Sequence, residues 1–144
     1  MIHIRDYIST DLSAIAVLMG ELGYPTSEHD MDKRMAIINS DPSYFTFVAE
    51  HEGIVAGMIG VRLLSNYEID GPVTQISALV VHSEYKGRGI GRSLMGFVNS
   101  WSAEKGSSVL YLTSGMKEER KAAHKFYKGM GYEITGYRFV KLRQ

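Results

Sequence analysis

Along this chain the spacing of apolar residues changes several times, and each change marks a new element. Residues 2–7 read as a short first strand. Ser9 or Thr10 is placed to cap a helix in which Leu12, Ile15, Ala16, Met19 and Leu22 recur at helical spacing, ending at Gly23 before Tyr24-Pro25. A second, mostly polar helix is predicted over about residues 28–39, with Met31, Met35 and Ile38 on one side and Asp41-Pro42 as its stop. The period then shortens. Tyr44 to His51 and Ile54 to Leu64 are rich in β-branched and aromatic residues and flank Glu52-Gly53, which predicts an antiparallel hairpin. A further strand is predicted from about Val73 to Val81. Gly87, Gly89 and Gly91 then introduce a helix with Ile90, Leu94, Phe97, Val98 and Trp101 on its apolar face, closed by Gly106. Val109 to Thr113 is the next strand, residues 119–130 the last helix, with Ala123, Phe126, Tyr127 and Met130 on one side, and Tyr132 to Lys141 a final strand. The predicted order is β-α-α-β-β-β-α-β-α-β. Antiparallel strands early and a right-handed β-α-β unit late imply an α+β fold, a mixed sheet with helices on both faces.

Composition narrows the function classes. A chain of 144 residues, 44% hydrophobic and 22% charged, suits one compact domain over residues 1–144. Lysine plus arginine balance aspartate plus glutamate at sixteen each, so no bulk basic field exists to hold nucleic acid nonspecifically, and any anion must be held locally. The absence of cysteine excludes a disulfide framework, a thiolate zinc site and a cysteine nucleophile. The polar N-terminus and the short apolar stretch Ile54 to Val61 predict neither a signal peptide nor a membrane span, so a soluble cytoplasmic protein is the default expectation. His3, His29, His51, His82 and His124 share no metal-ligand spacing, and no metal is predicted.

The most informative segment runs from Ile76 to Leu94, a buried strand that enters glycines and then an amphipathic helix. Glycines let backbone approach a ligand, and a row of N–H groups at a helix N-terminus suits phosphate oxygens. Lys86, Arg88 and Arg92 add formal charge at the same place. A Walker loop requires Gly-x-x-x-x-Gly-Lys-Ser/Thr, which is absent. A dinucleotide fingerprint requires Gly-x-Gly-x-x-Gly and an acid at the end of the next strand; here the pattern is Gly-x-Gly-x-Gly and that strand ends in Leu112-Thr113-Ser114.

Lys86-Gly87-Arg88-Gly89-Ile90-Gly91 instead resembles the pyrophosphate loop of GCN5-related (GNAT) acetyltransferases, Arg/Gln-x-x-Gly-x-Gly/Ala after a buried strand, with lysine at the first position as its one departure. Arg120 to Tyr132 resembles the same family's Ala-x-x-Phe-Tyr-x-x-x-Gly-Phe/Tyr pattern. A narrower likeness, carried by Ala-His-x-Phe-Tyr and by Tyr137-Arg138-Phe139, is to aminoalkylphosphonate-type small-amine acetyltransferases.

The resemblance implies a GNAT-like sheet, acetyl-CoA as co-substrate and direct transfer of its acetyl group to a primary amine, most simply on a small molecule. It places the pantetheine arm against backbone groups of Leu79, Val80 and Val81, and the phosphates at Lys86, Gly87, Arg88, Gly89, Ile90, Gly91 and Arg92, with Arg120 as a further cofactor contact. Tyr127 takes the role of general acid toward the departing thiolate. The family's frequent strand carboxylate is missing, because Gln75 stands at a plausible equivalent position. Glu68 and Asp70 are candidate bases by location only, and Glu21 and Tyr24 are placed to border an acceptor pocket. Alternatives are an acyl-CoA sensor of the same fold without turnover, and an acetyltransferase acting on protein lysines or N-termini. Neither nucleic acid nor membrane is an expected partner; a homodimer is a possible state.

Overall fold

The computed structural model describes residues 1–116 and 120–143. Its centre is a mixed sheet. Strand β1 (Ile2–Asp6) pairs with β2 (Tyr44–His51), β2 with β3 (Ile54–Leu64), and β3 with β4 (Val73–Val81), all antiparallel; β5 (Leu110–Leu112) lies parallel to β4. The spatial order equals the chain order, β1 to β5. Between β2 and β3 the two loop residues Glu52 and Gly53 both adopt positive φ, 52° and 79°. That is the mirror-image turn whose twist matches a hairpin, so the predicted turn forms at the expected dipeptide.

Period-2 alternation sends neighbouring side chains to opposite faces, and each face carries its own core. Val48, Met58 and Val80 point to the side covered by α1 (Leu12–Leu22) and α2 (Glu28–Ser40), where they meet Ile15, Leu18, Met31 and Met35. Phe47, Ile59 and Ile76 point to the other side and pack on Ile90, Leu94 and Val98 of α3 (Ile90–Glu104). Trp101 anchors the far end of α3, edge-on to Phe45 and Phe47 at 4.7 and 5.3 Å. Helix α4 (Lys121–Gly129) adds Phe126 and Tyr127 to this second core. A side chain on Gly57 would meet Ile90 Cγ2 at 3.0 Å and the Val80 carbonyl at 3.1 Å, so glycine there is what lets α3 sit directly on the sheet.

Three boundaries differ from the sequence reading. Ser9 and Thr10 do not cap α1; with Asp11 they form a single 3-10 turn, and α1 begins at Leu12. The polar group that organises this corner is Asp11, whose carboxylate is 5% exposed and accepts two 2.8 Å bonds from Arg5 and one of 2.9 Å from the Ile8 N–H. Second, the predicted strand from Val109 to Thr113 shrinks to three residues, because β4 turns away beyond Ile76. Third, the predicted final strand from Tyr132 to Lys141 is not formed: no described residue beyond Gly129 lies in a helix or strand, and Ile134, Tyr137 and Phe139 face solvent. Residue 119, the predicted start of the last helix, lies outside the described residues.

The Arg5–Asp11 pair carries a prediction. Hydrogen bonds from Arg5 hold the Asp11 carboxyl below its ordinary range, against the opposing effect of burial. A carboxylate depressed on folding adds stability that is present above its unfolded value, about 3.9, and is lost as pH falls through the lower folded value. Asp11→Ala strands the Ile8 N–H and half of the Arg5 fork, and is expected to cost about 2–4 kcal/mol in denaturant unfolding near neutral pH. A loss under about 0.5 kcal/mol, the range of ordinary surface changes, would show that the pair merely breaks even.

Candidate active site

The site is opened by a fault in strand pairing. Between β3 and β4 the register steps from Gly60↔Ala78 to Val61↔Ile76, leaving Ser77 as an extra residue on β4. Such a bulge bends its strand. On the other side β4 stays paired with β5 only through Thr74, Gln75 and Ile76. Beyond the bulge the two strands separate, and a cleft appears lined by Ser77, Ala78 and Leu79 from β4 and by Leu112, Thr113 and Ser114 from β5 and its exit. Leu22 and Tyr24 at the end of α1 close one side, and Arg120 and Tyr127 of α4 and its N-terminus close the other. From Ser77 onward the outer edge of β4 has no strand partner among the described residues, so its N–H and C=O groups are available to an extended ligand.

Downstream, β4 delivers the chain to the glycine loop. Gly87 and Gly89 sit at φ 81° and 79°, the left-handed region that other residues enter at a cost. Gly89 is the N-cap of α3 and has no side chain to offer, while the Ser93 N–H bonds to the Gly89 carbonyl. The first-turn N–H groups of residues 90–92 therefore lack a capping side chain, at the positive end of a 15-residue helix. Lys86 and Arg92 are exposed beside them. Arg88 is engaged elsewhere: its guanidinium lies 5.2 Å from the centre of the Tyr85 ring, and Nη1 is 3.3 Å from His51 Nε2 at the end of β2.

Of the strand residues singled out for a pantetheine arm, Leu79 lines the cleft; Val80 is buried under α1, and Val81 packs toward the start of α3. Tyr127 lines the cleft beside Arg120. Burial pushes its phenol above the ordinary tyrosine value, and the Arg120 charge partly offsets this. Tyr127 therefore stays a proton donor throughout the neutral range. Its neighbour Phe126 turns the other way: the tip of its ring would sit 3.7 Å from a side chain at Gly91, so it wedges α4 against the first turn of α3.

The acetyltransferase (GNAT) family model matches residues 12–132, from the first helix to the end of the Phe-Tyr motif. The chain belongs to the GNAT family. Aminoalkylphosphonate N-acetyltransferase of Salmonella typhimurium is 29% identical over 101 residues, 70% of this chain and 64% of that relative. Less than two thirds of the relative's length is thus matched. The crystal structure of a GNAT family acetyltransferase from Staphylococcus aureus is 27% identical and superposes with a TM-score of 0.84, covering 99% of this chain and 98% of that one. The aminoglycoside N-acetyltransferase AAC(6')-Iy in complex with CoA shares the fold at 20% identity and a TM-score of 0.82, over 100% of this chain and 95% of that one.

Within this GNAT chain the carboxylates proposed as bases do not reach the cleft. Asp70 lines a separate hollow with Ser65, Asn66 and Pro72, and the Glu68 N–H is tied to Asn66 Oδ1 at 3.0 Å in the same loop. Tyr24 does border the cleft, as expected. Glu21 does not; it accepts a 3.0 Å bond from the Ser83 hydroxyl, and His82 Nε2 stands 3.6 Å from it. Because His82 Nδ1 accepts the Glu84 N–H at 3.1 Å, the ring joins the end of α1 to the start of the glycine loop. Among the described residues the polar lining of the cleft is thus the hydroxyls of Ser77, Thr113 and Ser114, the two phenols of Tyr24 and Tyr127 and the Arg120 guanidinium, with no carboxylate or imidazole. Ser77, Thr113 and Ser114 were missed by sequence reasoning; Ser77 is one of three polar residues in β4, with Thr74 and Gln75, and Thr113 and Ser114 follow β5, so no local signal sets them apart. No helix among the described residues is long and apolar enough to cross a membrane.

Proposed function

We propose that this chain transfers the acetyl group of acetyl-CoA directly to a primary amine of a small molecule. The observation that carries the reading is the continuity of one ligand path: the unpaired edge of β4 from Ser77 leads to the uncapped first turn of α3, and Tyr127 faces the cleft at its start. That path fits an extended pantetheine arm ending in a pyrophosphate. Acetyl-CoA supplies the acyl group as a thioester. The first-turn N–H groups and Gly87 to Arg92 hold the phosphates, with Lys86 and Arg92 adding charge; Arg88 contributes its backbone while its side chain braces the loop. Leu79 to Val81 hold the arm by main-chain pairing and place an N–H toward the thioester oxygen, where charge develops. The amine forms the new C–N bond, the C–S bond breaks, Tyr127 Oη gives its proton to the departing sulfur, and the surplus proton on nitrogen passes to water, which restores the phenol.

The amine must reach the cleft unprotonated. With no carboxylate lining the cleft among the described residues, its proton leaves through water held by Ser77, Thr113 and Ser114. The same feature favours a second reading, an acyl-CoA sensor that does not turn over. Release of free thiol from acetyl-CoA is expected with short aminoalkyl phosphonates, phosphates or amino sugars and not without an amine. Acetyl-CoA binding without thiol release across such a panel would establish the sensor. Absence of binding would remove both readings. The acceptors named in the relatives, aminoalkylphosphonate among them, set the order in which the panel is tried. Arg120 at the cleft wall suits an acceptor that carries an anion as readily as it suits the cofactor.

A further inference from the structure

Arg88 lies between Gly87 and Gly89, the two left-handed residues of the loop, and its side chain is gripped from outside the loop. The guanidinium stands over the Tyr85 ring, and that ring is held edge-on between two imidazoles, His51 at 5.9 Å and His82 at 6.0 Å. His82 directly precedes the turn that carries Tyr85. His51 comes from elsewhere: it ends β2, paired across the sheet with Ile2 on β1 and Ile54 on β3, and so belongs to the sheet scaffold. Its contact with Arg88 fixes the state of the ring. A guanidinium donates and never accepts, so the 3.3 Å approach of Arg88 Nη1 to His51 Nε2 requires the lone pair on Nε2 and puts the proton of the neutral imidazole on Nδ1. Nδ1 is buried and has no hydrogen-bond partner among the described residues. A buried donor left unpaired opposes folding, and the bond from Arg88 at the other nitrogen offsets that cost.

We infer that His51 is a positioning residue for the cofactor: through Nε2 it anchors Arg88 to the sheet, and so holds the backbone of residues 87–89 in the form that presents the first-turn N–H groups of α3 to a pyrophosphate. Gly87 and Gly89 have no side chains of their own to restrain the loop, whose backbone is therefore the freest part of the site. Arg88 is the handle between them. A loop already anchored loses less freedom when phosphate arrives, which raises affinity without adding a contact to the ligand. The inference rests on the reading of residues 87–92 as the phosphate site.

In a double-mutant cycle on the full chain, His51→Asn is expected to weaken acetyl-CoA binding by about threefold to tenfold, and to add nothing when built on Arg88→Met. His51→Gln is expected to keep the parental affinity, because the glutamine amide oxygen reaches as far as Nε2 does, whereas the asparagine amide stops at the level of Nδ1. Parental affinity in a folded His51→Asn chain would overturn the inference. So would an equal loss from His51→Asn in the parent and on Arg88→Met, since a residue that only packs the end of β2 acts whatever stands at position 88. A further readout needs no cofactor: nitrogen resonances of the neutral His51 ring in the unliganded chain, identified by their absence from His51→Gln, are expected to place the proton on Nδ1. A proton on Nε2 in a chain that binds acetyl-CoA removes this inference and leaves the proposed transfer standing. No acetyl-CoA binding by the parent removes both together.

Discussion

Gly89→Val is expected to weaken acetyl-CoA binding by more than tenfold, about 1.4 kcal/mol or more, in a chain that still folds. Two effects must be separated. Gly89 sits at φ 79°, so any side chain there strains the backbone, by roughly 1–3 kcal/mol. A side chain would meet no protein atom within 4 Å, so it projects into the open space above the first turn of α3, where the phosphates are proposed to lie. Gly106 offers the matched control: it lies just past the other end of α3, at φ 86°, and is equally free of neighbours. Gly106→Val should lose similar stability and keep its affinity, whereas Gly89→Val loses both. Gly91→Ala should lose neither, since Gly91 does not need positive φ and a Cβ there makes ordinary 3.7 Å contacts with Phe126 and Val81. Calorimetric titration of the three variants decides the matter. Equal affinities for Gly89→Val and Gly106→Val would mean that the loop serves the fold and not the cofactor.

Much of this architecture was legible because local and global signals agree. The hairpin at Glu52-Gly53, the polar second helix and the amphipathic helix after the glycines each appear within one or two residues of their predicted bounds. The glycine loop was legible for a different reason: a left-handed backbone demands glycine at Gly87 and Gly89 whatever surrounds them. What could not be read were features that depend on two distant segments at once. The bulge at Ser77 exists only relative to Val61 on β3, and no property of Ser77 itself announces it. Asp11 lies only six residues from Arg5 and is still unremarkable in the sequence, because it is the 3-10 turn after β1 that folds its carboxylate back onto the Arg5 guanidinium. Arg88 carried the same charge signal as Lys86 and Arg92, and only the folded chain shows it committed to Tyr85 and His51. The tail inverts the lesson. Its residues have every local property of a strand, and a strand still needs an edge to pair with.

Tyr127→Phe is expected to lower single-turnover acetyl transfer by about 10²- to 10⁴-fold while acetyl-CoA affinity stays near that of the parent. The substitution removes one oxygen and its proton from a side chain that is half-buried against Phe126 and Tyr132, so the packing of α4 survives. The loss falls in the transition state, because only there does sulfur acquire the charge that a proton relieves. The pH dependence provides an independent check. Burial raises the Tyr127 phenol, so the acid remains protonated until above the ordinary tyrosine value, about 10. Turnover by the parent should climb with pH as more of the acceptor amine is free, and fall only in that strongly alkaline range. The phenylalanine variant should lose the alkaline fall and keep the climb. Arg120→Gln should move the alkaline limb upward, since the neighbouring guanidinium partly offsets the effect of burial on the phenol. If Tyr127→Phe retains parental single-turnover rates and an unchanged alkaline limb, the thiolate is protonated by water and Tyr127 is a packing residue. Single-turnover measurement is required because slow product release would hide a smaller effect in the steady state.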